Sequence, residues 1–282
     1  MQEVVRHFIL DFAGEAARYL IFAGTTFSLF WIIFRRRLLH RFIQKKFPPR
    51  SRIIKEFLYS MSSIAIFSLI GVAVFIAVKN GYGQLYRDID TYGWPYFFLS
   101  IVLAILLHDT YFYWTHRLMH HPAIFRLVHL VHHRSTNPSP WAAYAFHPFE
   151  AVIQGLIGPL IVFLMPIHVY ALLAFAVYQI TYNVFGHLSF ELFPRGFTRS
   201  FMFWHNSTTH HNMHHKYFHC NYSLYFNWWD RLMKTLHPRY DEVFDEVTGR
   251  QPVTSGSAQH GGSEEKIERA VPLLPLTSSA AD

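Results

Sequence analysis

Residues 96–120 read YFFLSIVLAILLHDTYFYWTHRLMH, an apolar run that ends in two histidines four positions apart, His116 and His120. The run has about the ~20 residues that a bilayer span needs. An i, i+4 pair stacks on one helical face, so this segment reads as a membrane helix delivering two imidazoles to its end. Two further groups share the pattern: HLVHH at 129–133 (His129, His132, His133) and HNMHH at 211–215 (His211, His214, His215). Each can present two or three imidazoles to one point. Eight imidazoles exceed what one tetrahedral or octahedral ion accepts, and the spacing predicts a dinuclear metal site.

A lone histidine is more often a hydrogen-bonded structural residue than a ligand. Here 16 of the 20 histidines fall between His108 and His219, a concentration that scatter does not produce. An all-imidazole donor set suits iron, zinc or copper over calcium or magnesium, which take oxygen ligands. The single cysteine, Cys220, excludes an internal disulfide and a thiolate cage.

The composition is 51% hydrophobic and 15% charged, against the roughly 25% charged residues of soluble domains. Besides the run from Tyr96, segments from about Tyr19 to Phe34 and from Leu58 to Val78 are span-like. The stretch from Phe149 to Phe185 carries Pro159, Pro166 and His168 near its middle and reads as a helical hairpin. The expected fold is all-α, an integral membrane four-helix bundle of two transmembrane hairpins. Its expected divisions are an N-terminal hairpin with a basic loop (1–95), a histidine-bearing part (96–240) and a disordered tail (241–282).

Between the first two spans lie nine cationic residues, from Arg35 to Lys55, whereas the loop before the third span holds only Lys79 and Arg87. The positive-inside rule puts the basic loop in the cytoplasm. Following the chain from there, all three histidine groups reach the same face. The charge run alone could suggest nucleic acid, but between two spans it is an orientation signal and an anionic-lipid contact. No nucleic-acid partner is expected.

The stretches HDTYFYWTHRLMH, HLVHHRSTNPSPWAAYAFHPFE, HHNMHHKYFHCNYS and WWDRLMKT together resemble the fatty acid hydroxylase and sterol desaturase superfamily of integral membrane di-iron oxygenases. The resemblance covers about Phe97 to Thr235. It implies that the four spans carry a cytoplasmic histidine-rich helical cap, that 96–240 is the catalytic domain, and that the protein uses two iron ions, molecular oxygen as co-substrate, and a separate electron donor that is cytochrome b5-like or ferredoxin-like. Carried over position by position, it implies the ligands His116, His120, His129, His132, His133, His211, His214 and His215. His187 matches an isolated histidine of the family and makes nine. Glu191 stands where the fatty acid 2-hydroxylase branch has a further histidine, which favours the sterol desaturase branch.

Six residues are expected around the ligands. Asp109, in an otherwise apolar helix, should be paired, and metal-bound histidines commonly give their free N–H to such a carboxylate. Asp230 is similar, with an ion pair to a neighbouring arginine as the alternative. His108 lies two turns before His116, His147 sits in FHPFE, and His210 adjoins His211 but falls outside the H-x-x-H-H register. Glu191 is the sixth. Tyr111, Tyr113, Trp114, Trp141 and Phe146 are expected around an aromatic-lined substrate pocket.

The resulting expectation is an oxygen-dependent enzyme that hydroxylates or desaturates an unactivated C–H position of a sterol-like or fatty acyl lipid drawn from the bilayer. The cofactor carries the hard step, and no catalytic side chain beyond the ligands is required. Two rivals come from other classes. A bis-histidine haem protein for electron transfer leaves H-x-x-H-H unexplained. A metal-binding or transport protein predicts ionisable residues along several spans to the far side.

Overall fold

In the computed structural model, which describes residues 1–252, the chain is a bundle of helices. Four of them are long and apolar enough to cross a membrane. The first, α1 (Gln2–Phe27), continues through a π-helical turn to Ile33. After the turn α2 (Arg35–Leu38) comes α3 (Arg50–Lys79), then α4 (Gly93–Met119). In hydrocarbon every backbone N–H and C=O must be satisfied within the segment, so these apolar runs have little choice but helix.

The first span starts 17 residues earlier than hydropathy alone suggests. Asp11, Glu15 and Arg18 interrupt the apolar pattern at i, i+4 and i+7, one face of a helix. That face lines a cavity between the helices.

The cap begins with α5 (Pro122–Val128) and α6 (Leu130–His133), separated by a break at His129. Asn137, Pro138 and Pro140 stop the second histidine segment, and a 3-10 turn (Pro140–Tyr144) leads back to the membrane. The outward leg of the second hairpin is α7 (Pro148–Gly155) and α8 (Ile157–Leu164), a shorter apolar pair broken at Leu156. The return leg α9 (Val169–Gly186) is the fourth long helix. At the far end, β1 (Leu85–Tyr86) pairs in parallel with β2 (Ile167–His168). This pairing holds the hairpin tip, with His168, beside the loop between the second and third spans.

α10 (Thr208–Tyr217), α11 (Trp228–Leu232) and α12 (Tyr240–Gly249) complete the cap. α1 packs along α3 and α4 along α9, and α9 also reaches α1 and α10. The basic loop folds onto the cap: Trp31 Nε1 donates to Leu188 O at 3.0 Å, and Phe42, Phe47 and Phe190 pack around that indole. The basic loop and the histidine segments therefore share one end of the bundle.

One boundary differs from expectation. The tail expected from residue 241 begins instead with α12, whose Tyr240, Phe244 and Val247 are buried. The Tyr240 hydroxyl donates to Ser207 Oγ at 3.1 Å, and the Arg250 guanidinium donates to Phe42 O at 2.7 Å. Tyr, Phe and Val at this spacing give the segment an apolar face, which is why it docks. The rest of the expected tail, residues 253–282, lies outside the described residues.

Candidate metal centre

The three histidine segments and His187 meet inside the cap in two groups. His116, His120, His129, His133 and His214 form one, and His132, His187, His211 and His215 the other; within each, the candidate ligand atoms all lie within 4.8 Å of one another. In the first group, His133 Nε2 is 3.1 Å from both His120 Nε2 and His129 Nε2 and 3.0 Å from His214 Nε2. In the second, His187 Nε2 is 3.3, 3.1 and 3.3 Å from the Nε2 atoms of His132, His211 and His215. A metal–nitrogen bond of ~2.0–2.1 Å sets neighbouring ligand nitrogens about 3 Å apart, and these separations match.

A motif therefore does not serve a single point. Adjacent residues on a helix diverge by about 100°, so His132 and His133 part to different groups, as do His214 and His215. The ring centroids of His133 and His215 are 5.0 Å apart across the boundary, and the two groups share a wall.

The proton positions also fit metal binding. His116 Nδ1 lies 2.7 Å from Tyr222 O, His214 Nδ1 2.7 Å from Cys220 O, and His187 Nδ1 2.6 Å from Asn183 O. A carbonyl only accepts, so each Nδ1 carries the hydrogen and each Nε2 lone pair faces inward. His116 Nε2 is buried without a partner among the described residues, the state of a nitrogen aimed at an ion. Burial, reinforced by neighbouring histidines, holds His129, His132, His133, His211 and His215 well below the usual imidazole range. Burial likewise brings His187 down to about 4. Neutral imidazole is the form that ligates. Nitrogens packed this closely leave no slot for a porphyrin plane, which removes the haem rival.

The six surrounding residues take different places. Asp109 does not touch a candidate ligand: its Oδ1 accepts from the Tyr225 and Phe226 N–H groups at 2.9 and 3.3 Å. Asp230 acts on the same loop, accepting from the Tyr222 and Ser223 N–H groups, from Thr235 Oγ1, and from His210 Nε2 at 3.1 Å. Burial pushes Asp230 up, but these donors outweigh it and hold the carboxyl well below the usual carboxylate range. The alternative, an arginine pair, does not form among the described residues: Arg231 Nε donates to Asn227 Oδ1. Both acids fix loop 220–226, whose Cys220 and Tyr222 carbonyls hold His214 and His116.

Glu191 anchors α10 at its start. Its Oε2 accepts from Thr209 N at 2.9 Å and Thr209 Oγ1 at 2.6 Å, which suits a carboxylate at a helix N-terminus. Burial nevertheless pushes its carboxyl up. His147 accepts from Phe149 N and caps α7, away from both groups. His108 Nδ1 lies 2.8 Å from the Tyr225 hydroxyl, beside the centre but not in it.

Sequence reasoning missed Glu150, fully buried with Oε1 2.7 Å from His129 Nδ1. A lone acid in an apolar hairpin leg was the available signal. It also missed the cross-link made by Asn212, inside HNMHH, whose Nδ2 donates to Asn137 Oδ1 and Ser189 Oγ. Gln44 of the basic loop donates to Asn212 Oδ1 in turn.

Below the centre, between the long helices, lies a cavity of about 660 Å³. Its inner wall includes Phe112, Phe146 and Asn183. Phe112 packs 4.9 Å from His116 and Phe146 5.2 Å from His132, ring centre to ring centre, and Asn183 holds His187. Of the five expected pocket aromatics, only Phe146 lines this cavity. Trp141 packs on Tyr19 and Phe57, Tyr113 and Trp114 pack on Trp229, and Tyr111 is spent on a hydrogen bond to Ile153 O.

A multi-pass helical bundle, two histidine-walled pockets at one end and a mostly apolar cavity beneath them are the features of a membrane protein with a candidate metal centre. Residues 101–235 match the fatty acid hydroxylase family. The chain is 35% identical over 246 residues to a Delta(7)-sterol 5(6)-desaturase of Gibberella zeae, covering 85% of this chain and 72% of that protein. It is 32% identical to a Delta(7)-sterol 5(6)-desaturase of Aspergillus fumigatus, covering 87% and 81%, and 27% identical to the lathosterol oxidase of Homo sapiens, covering 93% and 86%. No solved structure matches the chain. The chain belongs to the fatty acid hydroxylase family, in its sterol desaturase branch, and is a membrane oxidoreductase of lipid metabolism.

Proposed function

We propose that this chain desaturates a sterol, using two iron ions, molecular oxygen and electrons from a separate donor protein such as a cytochrome b5 or a ferredoxin. The observation that carries the reading is the shared wall: the residues that close the apolar cavity are also those that pack on or hold the candidate ligands. A lipid filling the cavity would have C–H bonds next to both metal positions.

His116, His120, His129, His133 and His214 would hold one ion, and His132, His187, His211 and His215 the other. Bound there, iron supplies the reduction of oxygen and the removal of hydrogen from an unactivated C–H bond. The protein's own part is positional. Tyr222, Cys220 and Asn183 carbonyls fix ring tautomers, Asp109, Asp230 and Glu191 hold the loop and helix that carry those rings, and Phe112 and Phe146 keep water from the reacting end. The mostly apolar cavity between the helices would orient a rigid ring system. The basic loop shares the histidine end, so the positive-inside rule puts that face, and the approach of the donor, in the cytoplasm.

Metal analysis and turnover test the reading together. The purified chain should carry about two irons without a haem absorption band, and should convert lathosterol, with oxygen and a reducing partner, to a product with the ultraviolet absorption of a conjugated diene. His132→Ala and His214→Ala should each lower iron and abolish product while the protein still inserts. Product surviving both single changes would sink the dinuclear proposal.

A further inference from the structure

The metal centre leaves one polar cluster unexplained. Asp11, Glu15 and Arg18 sit on one face of α1, inside a membrane span, and all three line the cavity together with Tyr144, Gln154 and Gln179. Arg18 pairs with Glu15, and the Tyr144 hydroxyl beside it donates to Gln179 Oε1 at 2.7 Å. That leaves three groups without a hydrogen-bond partner among the described residues: the Asp11 carboxyl, Arg18 Nε, which is buried, and the Gln179 amide nitrogen. Gly71 of α3 faces Asp11 so closely that a Cβ there would collide with the carboxylate. Room for this acid is built into the neighbouring helix.

Ionisable groups within a span are costly and mark function when they face a cavity. We propose that Asp11, Glu15, Arg18 and Gln179 form a binding site for the uncharged hydroxyl of the lipid substrate. The donor and acceptor inventory selects that group. Glu15 is paired with Arg18 and, farther along the cavity, Glu3 with Lys79, and Arg87 lines the cavity as well, so the charge at the cluster itself is that of the Asp11 carboxylate, which disfavours a fatty acid carboxylate or a phosphate headgroup at that point. An ammonium could meet the carboxylates but offers no lone pair to Arg18 Nε or the Gln179 amide. A hydroxyl both donates and accepts, and satisfies both kinds of group.

The cluster also sets where on the lipid oxidation falls. Gln179 precedes Asn183 by one turn and His187 by two, about 6 and 12 Å along α9. Tyr144 is two residues from Phe146, the ring that packs against His132. A hydroxyl held here has the metal positions about 10 Å away, within the length of a fused ring system and short of a distant chain end. This inference rests on the reading that the cavity holds the substrate.

The test is equilibrium binding of labelled probes to the full chain in phosphatidylcholine vesicles: lathosterol against its 3-deoxy counterpart, octadecanol against octadecane, and stearate. The wild type should prefer the hydroxylated member of a pair by about tenfold or more, as one well-made buried hydrogen bond provides, and should bind stearate weakly. Asp11→Asn, Arg18→Met and Gln179→Leu should each cut that preference to about threefold or less while leaving the apolar member's affinity and the iron content unchanged; three separate variants guard against one that fails to fold. Hydroxyl preference unchanged in the variants, or absent from the wild type, overturns the inference even if lathosterol is oxidised. Lathosterol left unoxidised, with the octadecanol preference present and lost in the variants, overturns the sterol reading and keeps the hydroxyl site.

Discussion

Asp230 shows how a residue can govern a candidate metal centre without approaching it. Fully buried, it accepts from two backbone N–H groups, Thr235 and His210, and so fixes the loop whose carbonyls orient His116 and His214. Asp230→Asn keeps the shape but removes the charge that four donors point at. Breaking a buried charged network costs about 3–5 kcal/mol, and disturbing a ligand's supporting partners typically lowers metal affinity about 10–100-fold. Thermal unfolding of the metal-free protein and iron retention against a chelator should each show its share. The relay was not legible in the sequence. WWDRLMKT marks Asp230 as notable, but its partners come from fold contacts that spacing does not encode, and a direct carboxylate–histidine contact was the simpler expectation.

At the scale of elements, the spacing of the histidines made them legible as helical, and their division between two pockets was not. Helical geometry makes it inevitable once α6 and α10 lie side by side: neighbours 100° apart cannot serve one point. Glu191 decides whether α10 is in place to do so. Glu191→Ala removes a charged cap from a buried helix start and leaves the Thr209 N–H and hydroxyl unpaired, at a cost of about 1–2 kcal/mol. The expected readout is a lower unfolding temperature with a matching loss of iron, and no change in membrane insertion. The start of α1 was hidden for a different reason. Hydropathy counts Asp11, Glu15 and Arg18 as lipid-facing, whereas they face a cavity whose other walls include α3, α4, α7, α8 and α9.

For the whole molecule, the histidine core makes stability depend on pH in one direction. His187, fully buried, is brought down to about 4 from the ~6.5 of an exposed imidazole. Between those values the unfolded chain binds a proton that the folded chain refuses, so stability falls as pH drops from about 6.5 towards 4. Each such histidine contributes about 1.4 kcal/mol per pH unit, and His129, His132, His133, His211 and His215 are shifted the same way. The metal-free protein should therefore lose unfolding temperature steeply between pH 6.5 and 5 and be flat above pH 7.5, and bound metal should delay the loss. A flat profile for the metal-free protein would contradict neutral buried imidazoles. The bundle, the hairpins and the basic loop at the histidine end were all readable from hydropathy and charge, because membrane insertion acts on just those properties. α12 was not, since its apolar face is short and its composition polar.

The two pairs of adjacent histidines, 132 with 133 and 214 with 215, carry an evolutionary consequence. Because each pair straddles both pockets, any insertion, deletion or change of helical register in α6 or α10 displaces a donor from each at once. Neither pocket can be lost, or retuned for another metal, while its neighbour stays as it was. Descendants of such a chain would keep both pockets or abandon both, and new specificities would arise in the membrane cavity, where a substitution alters what fits without moving a single imidazole.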